Sequence, residues 1–204
     1  SGGCTPAPVS TTVTITAAPT ASISYAATPY CNDNATAQAV TLTGTNNYTG
    51  GVFSAAPATG LILDATTGAI TPSGSTPGTY TVSYAIPANG GCTPAPVTTT
   101  VTITPLPTAS ISYAASPYCD DNASAQTVTL TGTGAYTGGT YSALPATGLI
   151  LDSITGAITP SGSTPGTYTV TYAIPASGGC KPAPVSTSVT ITGAPTASVR
   201  SAAT

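Results

Sequence analysis

The chain has 204 residues, of which 3% are charged, and a formal net charge of −3. Asp33, Asp64, Asp120, Asp121, Asp152, Lys181 and Arg200 are its only charged side chains, and His, Glu, Met and Trp are absent. Ordinary globular chains are about one quarter charged. This composition offers no basic patch for nucleic acid, no polybasic segment for a membrane surface and no apolar run long enough for a transmembrane helix.

The chain opens on GGCTPAPV from Gly2; the phrase returns from Gly90 and again, as GGCKPAPV, from Gly178. PTASISYAATPYCNDN from Pro19 returns as PTASISYAASPYCDDN from Pro107, and the stretch from Ala58 to Pro87 returns from Ala146, always at an offset of 88. A further start, APTASVRSAAT, follows at Ala194. Self-similarity at a fixed period marks a tandem array. The expected organisation is the last strand of a truncated repeat over 1–16, repeat 1 over 17–104, repeat 2 over 105–192 and the first strand of a following truncated repeat over 193–204. The sequence therefore reads as a window on a longer array.

Within repeat 1, strands are expected around Ile23 to Tyr25, then at AVTLTGT, where Val40 and Leu42 oppose Thr41 and Thr43. Further strands are expected over Gly51 to Ala55, Leu61 to Leu63 and Ala69 to Thr71. LDATTGAI reads as a tight hairpin with Gly68 at positive φ. In GTYTVSYAI, Tyr80, Val82, Tyr84 and Ile86 share one face; in VTTTVTIT, Val97, Thr99, Val101 and Ile103 do. Alternation with one apolar face means half-buried antiparallel strands. About seven short strands per 88-residue repeat give an all-β fold of tandem immunoglobulin-like sandwiches. Tyr80 stands where a tyrosine corner would bond back to the backbone.

GLILDATTGAI followed by PGTYTVSYAI resembles the bacterial Ig-like and cadherin-like modules of large surface proteins. SYAATPYC, TVTLTGT, GTYTV and GGC before a Thr/Val strand are similar to repeats of giant Bacteroidota cell-surface adhesins, the SprB-type gliding-motility adhesins among them. The resemblance covers the whole chain. It implies export by the type IX route and long filaments at the cell surface.

Each full repeat carries two cysteines, Cys31 and Cys92, then Cys119 and Cys180; Cys4 belongs to the truncated repeat. One reading bridges each repeat internally, as Cys31–Cys92 and Cys119–Cys180. Against it, Cys31 follows the first strand and Cys92 precedes the last, so they lie at opposite poles. Eight-residue strands separate the poles by roughly 25 Å at about 3.3 Å per residue, whereas bridged Cα atoms lie about 6 Å apart. The other reading staples the joint, Cys31 to Cys180, leaving Cys4, Cys92 and Cys119 to partners outside the sequence. Either pairing requires an oxidising, extracellular setting.

Catalytic machinery is missing: without His or Glu, and with a Lys and an Arg that do not recur, no general acid–base set forms. The chain reads as a non-enzyme needing no cofactor. Asp33, Asp120 and Asp121, in Asn32-Asp33-Asn34 and Asp120-Asp121-Asn122, are the calcium candidates, although calcium takes six to eight oxygens. Cysteines so far apart, with no His, do not suit a metal, and an isopeptide crosslink would need a Lys in repeat 1. Thr rows raise ice binding, but sandwich sheets twist, and Thr equally fills a solvent face. Asn34-Ala-Thr, Asn47-Tyr-Thr and Asn122-Ala-Ser fit the N-glycan sequon, and Asp152-Ser153-Ile154 resembles a Bacteroidota O-glycosylation motif with Ser153 as acceptor.

The function expected is a stalk or filament segment of an extracellular bacterial surface adhesin, a stiff disulfide-stabilised spacer. Its partners would be neighbouring repeats, with lateral self-association along edge strands that lack charged guards. The alternative is an adhesion module binding glycans or abiotic surfaces, with Tyr30, Tyr48, Tyr118 and Tyr136, placed in expected loops, stacking on sugars.

Overall fold

A computed structural model describes residues 2–195. Repeat 1 forms β1 (Thr20–Tyr25), β2 (Tyr30–Cys31), β3 (Val40–Thr45), β4 (Val52–Ala56), β5 (Ile62–Leu63), β6 (Ile70–Thr71), β7 (Gly78–Ala85) and β8 (Val97–Thr104). Repeat 2 forms β9 (Thr108–Tyr113), β10 (Tyr118–Cys119), β11 (Val128–Thr133), β12 (Thr140–Leu144), β13 (Ile150–Leu151), β14 (Ile158–Thr159), β15 (Gly166–Ala173) and β16 (Val185–Thr192). The described residues contain no helix.

The two layers of repeat 1 follow from its pairings. One sheet runs β2-β8-β7-β4. The other begins with β1-β3 and continues, through the Gln38–Ile70 bridge, to the β6-β5 hairpin. This is the division of a constant-type immunoglobulin sandwich, with a short extra strand. That strand is β2, which lies parallel to β8, Tyr30 against Ile103 and Cys31 against Thr104. The first strand of the fold is thus split between sheets. Two residues are too short to show an alternation, so the sequence led to seven strands where there are eight.

Alternation places the core. Tyr80, Val82, Tyr84 and Ile86 are buried between the layers with Val101 and Ile103, and Ile23, Tyr25, Phe53 and Ile70 close it from the other strands. Repeat 2 builds a second, separate core from Ile111, Tyr141, Ile158, Tyr168, Val170, Tyr172, Ile174, Val189 and Ile191. The outward faces are held by hydroxyl pairs across strands, Thr20 with Thr45 and Ser22 with Thr43, both at 2.7 Å. Every buried side-chain polar atom of the described residues has a partner.

The tyrosine corner is present in both repeats: the Tyr80 hydroxyl donates to the Thr76 carbonyl, and that of Tyr168 to Thr164, at 2.8 Å. The LDATTGAI hairpin closes as the sequence dictates, with Gly68 at φ +74°. The Asp64 carboxylate accepts the N–H groups of Thr66 and Thr67 at 2.8 Å. Residues 2–16, expected as a last strand, pair with no strand, and Val9, Val13 and Ile15 are exposed. An isolated strand has nowhere to send its backbone hydrogen bonds. The strand expected over 193–204 lies almost wholly outside the described residues.

Candidate functional site

The joint between the repeats is assembled from two poles. β8 ends at Thr104, and β2, in parallel register with it, ends at Cys31, so both residues stand at the far pole of repeat 1. From repeat 2 comes the loop before β16. There a bridge between Ser177 and Cys180 closes a two-residue turn on Gly178 and Gly179, at φ +56° and +79°. Positive φ at both central positions is the type I′ turn, which glycine adopts without a side-chain clash. The recurring GGC phrase is therefore a turn that presents its cysteine at the near pole.

Cys31 and Cys180 are joined in a disulfide, Cα to Cα 4.8 Å. Both are buried. The internal pairings Cys31–Cys92 and Cys119–Cys180 are not formed: Cys92, before β8, and Cys31, after β1, lie at opposite ends of the same sandwich. Cys4, Cys92 and Cys119 are free thiols. The Cys119 thiol is pushed up from its ordinary pKa, chiefly through its hydrogen bond with the Asp121 side chain, which disfavours a reactive thiolate.

Around the bridge the contacts are specific. The Thr104 hydroxyl bonds the Gly178 carbonyl. The Leu106 N–H donates to Asn32 Oδ1 at 2.9 Å, and the Asn32 N–H donates to the Thr104 carbonyl at 2.9 Å. Asn32 therefore ties the linker to the pole it leaves, while Pro107 is buried. A methyl group on Gly179 would sit 2.3 Å from the Pro29 carbonyl oxygen, so the loop can lie this close only as glycine.

Half of the same joint recurs one repeat earlier. Cys92 Sγ lies 3.6 Å from the Thr16 carbonyl, as Cys180 Sγ lies 3.9 Å from that of Thr104. Gly90 faces Thr16 just as Gly178 faces Thr104. At the far pole of repeat 2, Asp120 takes the role of Asn32: its carboxylate accepts the Ala194 N–H at 2.8 Å. The sequence places the second cysteine in the turn before the last strand, but not the Gly-Gly geometry of that turn or the caps, for which Gly-Gly before one cysteine and Asn or Asp after the other, at a constant period, are the available signals.

The remaining candidates scatter. Asp33 and Asp121 are exposed in the turns after β2 and β10, and Asp120 is engaged by the linker. Among the described residues no three His, Cys, Asp or Glu side chains come together. Ser153 is exposed in the β13–β14 hairpin, where Asp152 accepts the N–H of Ile154 and Thr155. The tyrosine reading is corrected: Tyr30 and Tyr118 are buried at 5% exposure, their hydroxyls bonded to the carbonyls of Ala26 and Ala114. Tyr48 and Tyr136 pack against the cores. The buried rings of Tyr30 and Tyr118 offer no face to a sugar, and those of Tyr48 and Tyr136 are half-buried. A shallow depression of about 220 Å³ is lined by Phe53, Ser54, Ala55, Ala58, Leu61 and Leu63, with no charged side chain among them.

No family model and no curated protein matches the chain. Among solved structures it is similar to human protocadherin-24 EC1-2, at 10% identity and TM-score 0.43, covering 85% of this chain and 98% of that one. It is also similar to the C-terminal 282-residue fragment of intimin, in complex with the intimin-binding domain of the translocated intimin receptor, at 15% identity and TM-score 0.48. A third is surface layer protein SbsC, domains 1–6, at 18% identity and TM-score 0.33. The chain spans 62% of the intimin fragment and 29% of the SbsC one. The fold stands on the strand order and register alone: two copies of one disulfide-joined β-sandwich.

Proposed function

We propose that the chain is a segment of an extracellular stalk or filament, a stiff spacer in a bacterial surface adhesin. The observation that carries the reading is the joint: a buried disulfide, a Thr104–Gly178 bond and the Asn32 cap fix one repeat on the next. A disulfide persists in an oxidising compartment, which supports an extracellular location. Repetition of half the joint at Thr16 and Cys92 supports a uniform array, with Cys92 and Cys119 bonding further repeats on either side. Assignment to SprB-type gliding adhesins exported by the type IX route rests on the resemblance of the quoted motifs. O-glycosylation at Ser153 would add solubility to a surface poor in charge.

Small-angle scattering on the oxidised chain tests the spacer. The expected particle is elongated, about twice the length of one sandwich, with little change on adding calcium. A single compact globule would overturn the reading. Saturable binding on a glycan array would favour the adhesion module instead.

A further inference from the structure

We infer that the joint disulfide takes both sandwiches out of the load path, so that the chain transmits tension without unfolding lengthwise. The inference deepens the spacer reading, but it follows from connectivity. A pull on the two ends enters repeat 1 through β1 and leaves repeat 2 through β16. Cys31 lies just after β1, and Cys180 lies just before β16. The shortest covalent route therefore runs along β1, across the sulfur–sulfur bond and along β16. Strands β3 to β15, with most of both cores, hang from that route as a closed loop.

The bridge spans a sequence separation of 149. At roughly 3.6 Å per extended residue this withholds about 54 nm of chain from extension. Residues between Thr20 and Cys31 and between Cys180 and Thr192 remain in line. Fully stretched, they span about 9 nm, against about 5 nm for two eight-residue strand lengths laid end to end. A bridge inside each repeat would instead leave the linker between the two sandwiches carrying the whole load. Because 149 exceeds the 88-residue period, the same pairing repeated along an array would make successive loops overlap. Every peptide bond of the interior would then be spanned by at least one bridge, and no single backbone cut would part the rod.

The test is single-molecule stretching of the whole chain through thiol-free handles at its ends, oxidised and then reduced, with peptide mapping of the cysteines. The oxidised chain should gain only about 4 nm on unfolding, the slack of the in-line residues. The reduced chain should gain about 54 nm more at roughly 3.6 Å per residue, in two steps. Cys31→Ser should behave as the reduced chain under oxidising conditions; if that variant fails to fold, reduction of the unaltered chain gives the same comparison. An oxidised chain that lengthens as far as the reduced one, or mapping that finds Cys31 bonded elsewhere, overturns the inference. Either result leaves the elongated shape, and hence the spacer reading, to be judged by scattering.

Discussion

Single side chains set this protein's response to pH, because so few of them titrate near neutrality. Backbone N–H bonds from Thr67 and Thr66 hold the Asp64 carboxyl below its ordinary range, and Thr155 and Ile154 do the same for Asp152. A carboxyl whose folded pKa is depressed contributes stability above its unfolded pKa, about 3.9, and loses it as pH falls through the folded value. Thermal melts should therefore be flat down to about pH 4 and decline below it, and the double variant Asp64→Asn, Asp152→Asn should lose part of that decline. At the alkaline end, burial followed by the charge of Tyr30 pushes the Tyr25 hydroxyl up to about 12. Tyr113 is raised in the same way. A raised folded pKa contributes stability below the unfolded value near 10 that disappears as pH rises toward the folded one. Melts between pH 10 and 12 should fall, and Tyr25→Phe with Tyr113→Phe should remove much of the slope. A wild-type slope in the variant would exclude these two tyrosines as its source.

Elements depend on a few hydroxyls that replace missing backbone partners. The Tyr84 hydroxyl donates to the Tyr48 carbonyl at 2.7 Å and accepts the Gly51 N–H at 2.8 Å, pinning the β3–β4 connection to β7. Tyr84→Phe removes both bonds from a buried site and should destabilise repeat 1 by about 2 kcal/mol. Tyr80→Phe breaks one bond to Thr76 and should cost about 1 kcal/mol. Urea denaturation of the two variants gives the ranking, and a larger loss for Tyr80→Phe would contradict it. These positions were legible as core from alternation alone. Their hydroxyl partners were not, apart from the corner tyrosine, because a bond between Tyr84 and residue 48 depends on how two distant connections fold over each other.

At the scale of the whole molecule, the joint separates two nearly identical glycines. Gly91 and Gly179 share the same turn, at φ +84° and +79°, but a methyl group on Gly91 meets nothing within 4 Å while one on Gly179 meets the Pro29 carbonyl. Both alanine variants carry the backbone strain of a positive φ, about 1 kcal/mol. Only Gly179→Ala should slow formation of the Cys31–Cys180 bond, read by thiol trapping during reoxidation. Equal rates for the two variants would mean that the loop does not seat against repeat 1. Reduction of the bridge, which closes a loop of separation 149, should destabilise the pair by up to about 5 kcal/mol on the chain-entropy model.

The sequence by itself determined the period, the β class, the buried faces of the long strands and the hairpin at Gly68, because these follow from local alternation and from the conformational freedom of single residues. It also narrowed the cysteine pairing, since strand length alone separates Cys31 from Cys92. Only the tertiary structure decided that β2 crosses to the second sheet and carries Cys31 beside Thr104, that Tyr30 and Tyr118 turn inward, and that Asn32 and Gly179 close the joint. Each of these is a meeting of residues far apart in the chain, fixed by the way sheets and poles pack, and no short stretch of sequence encodes it.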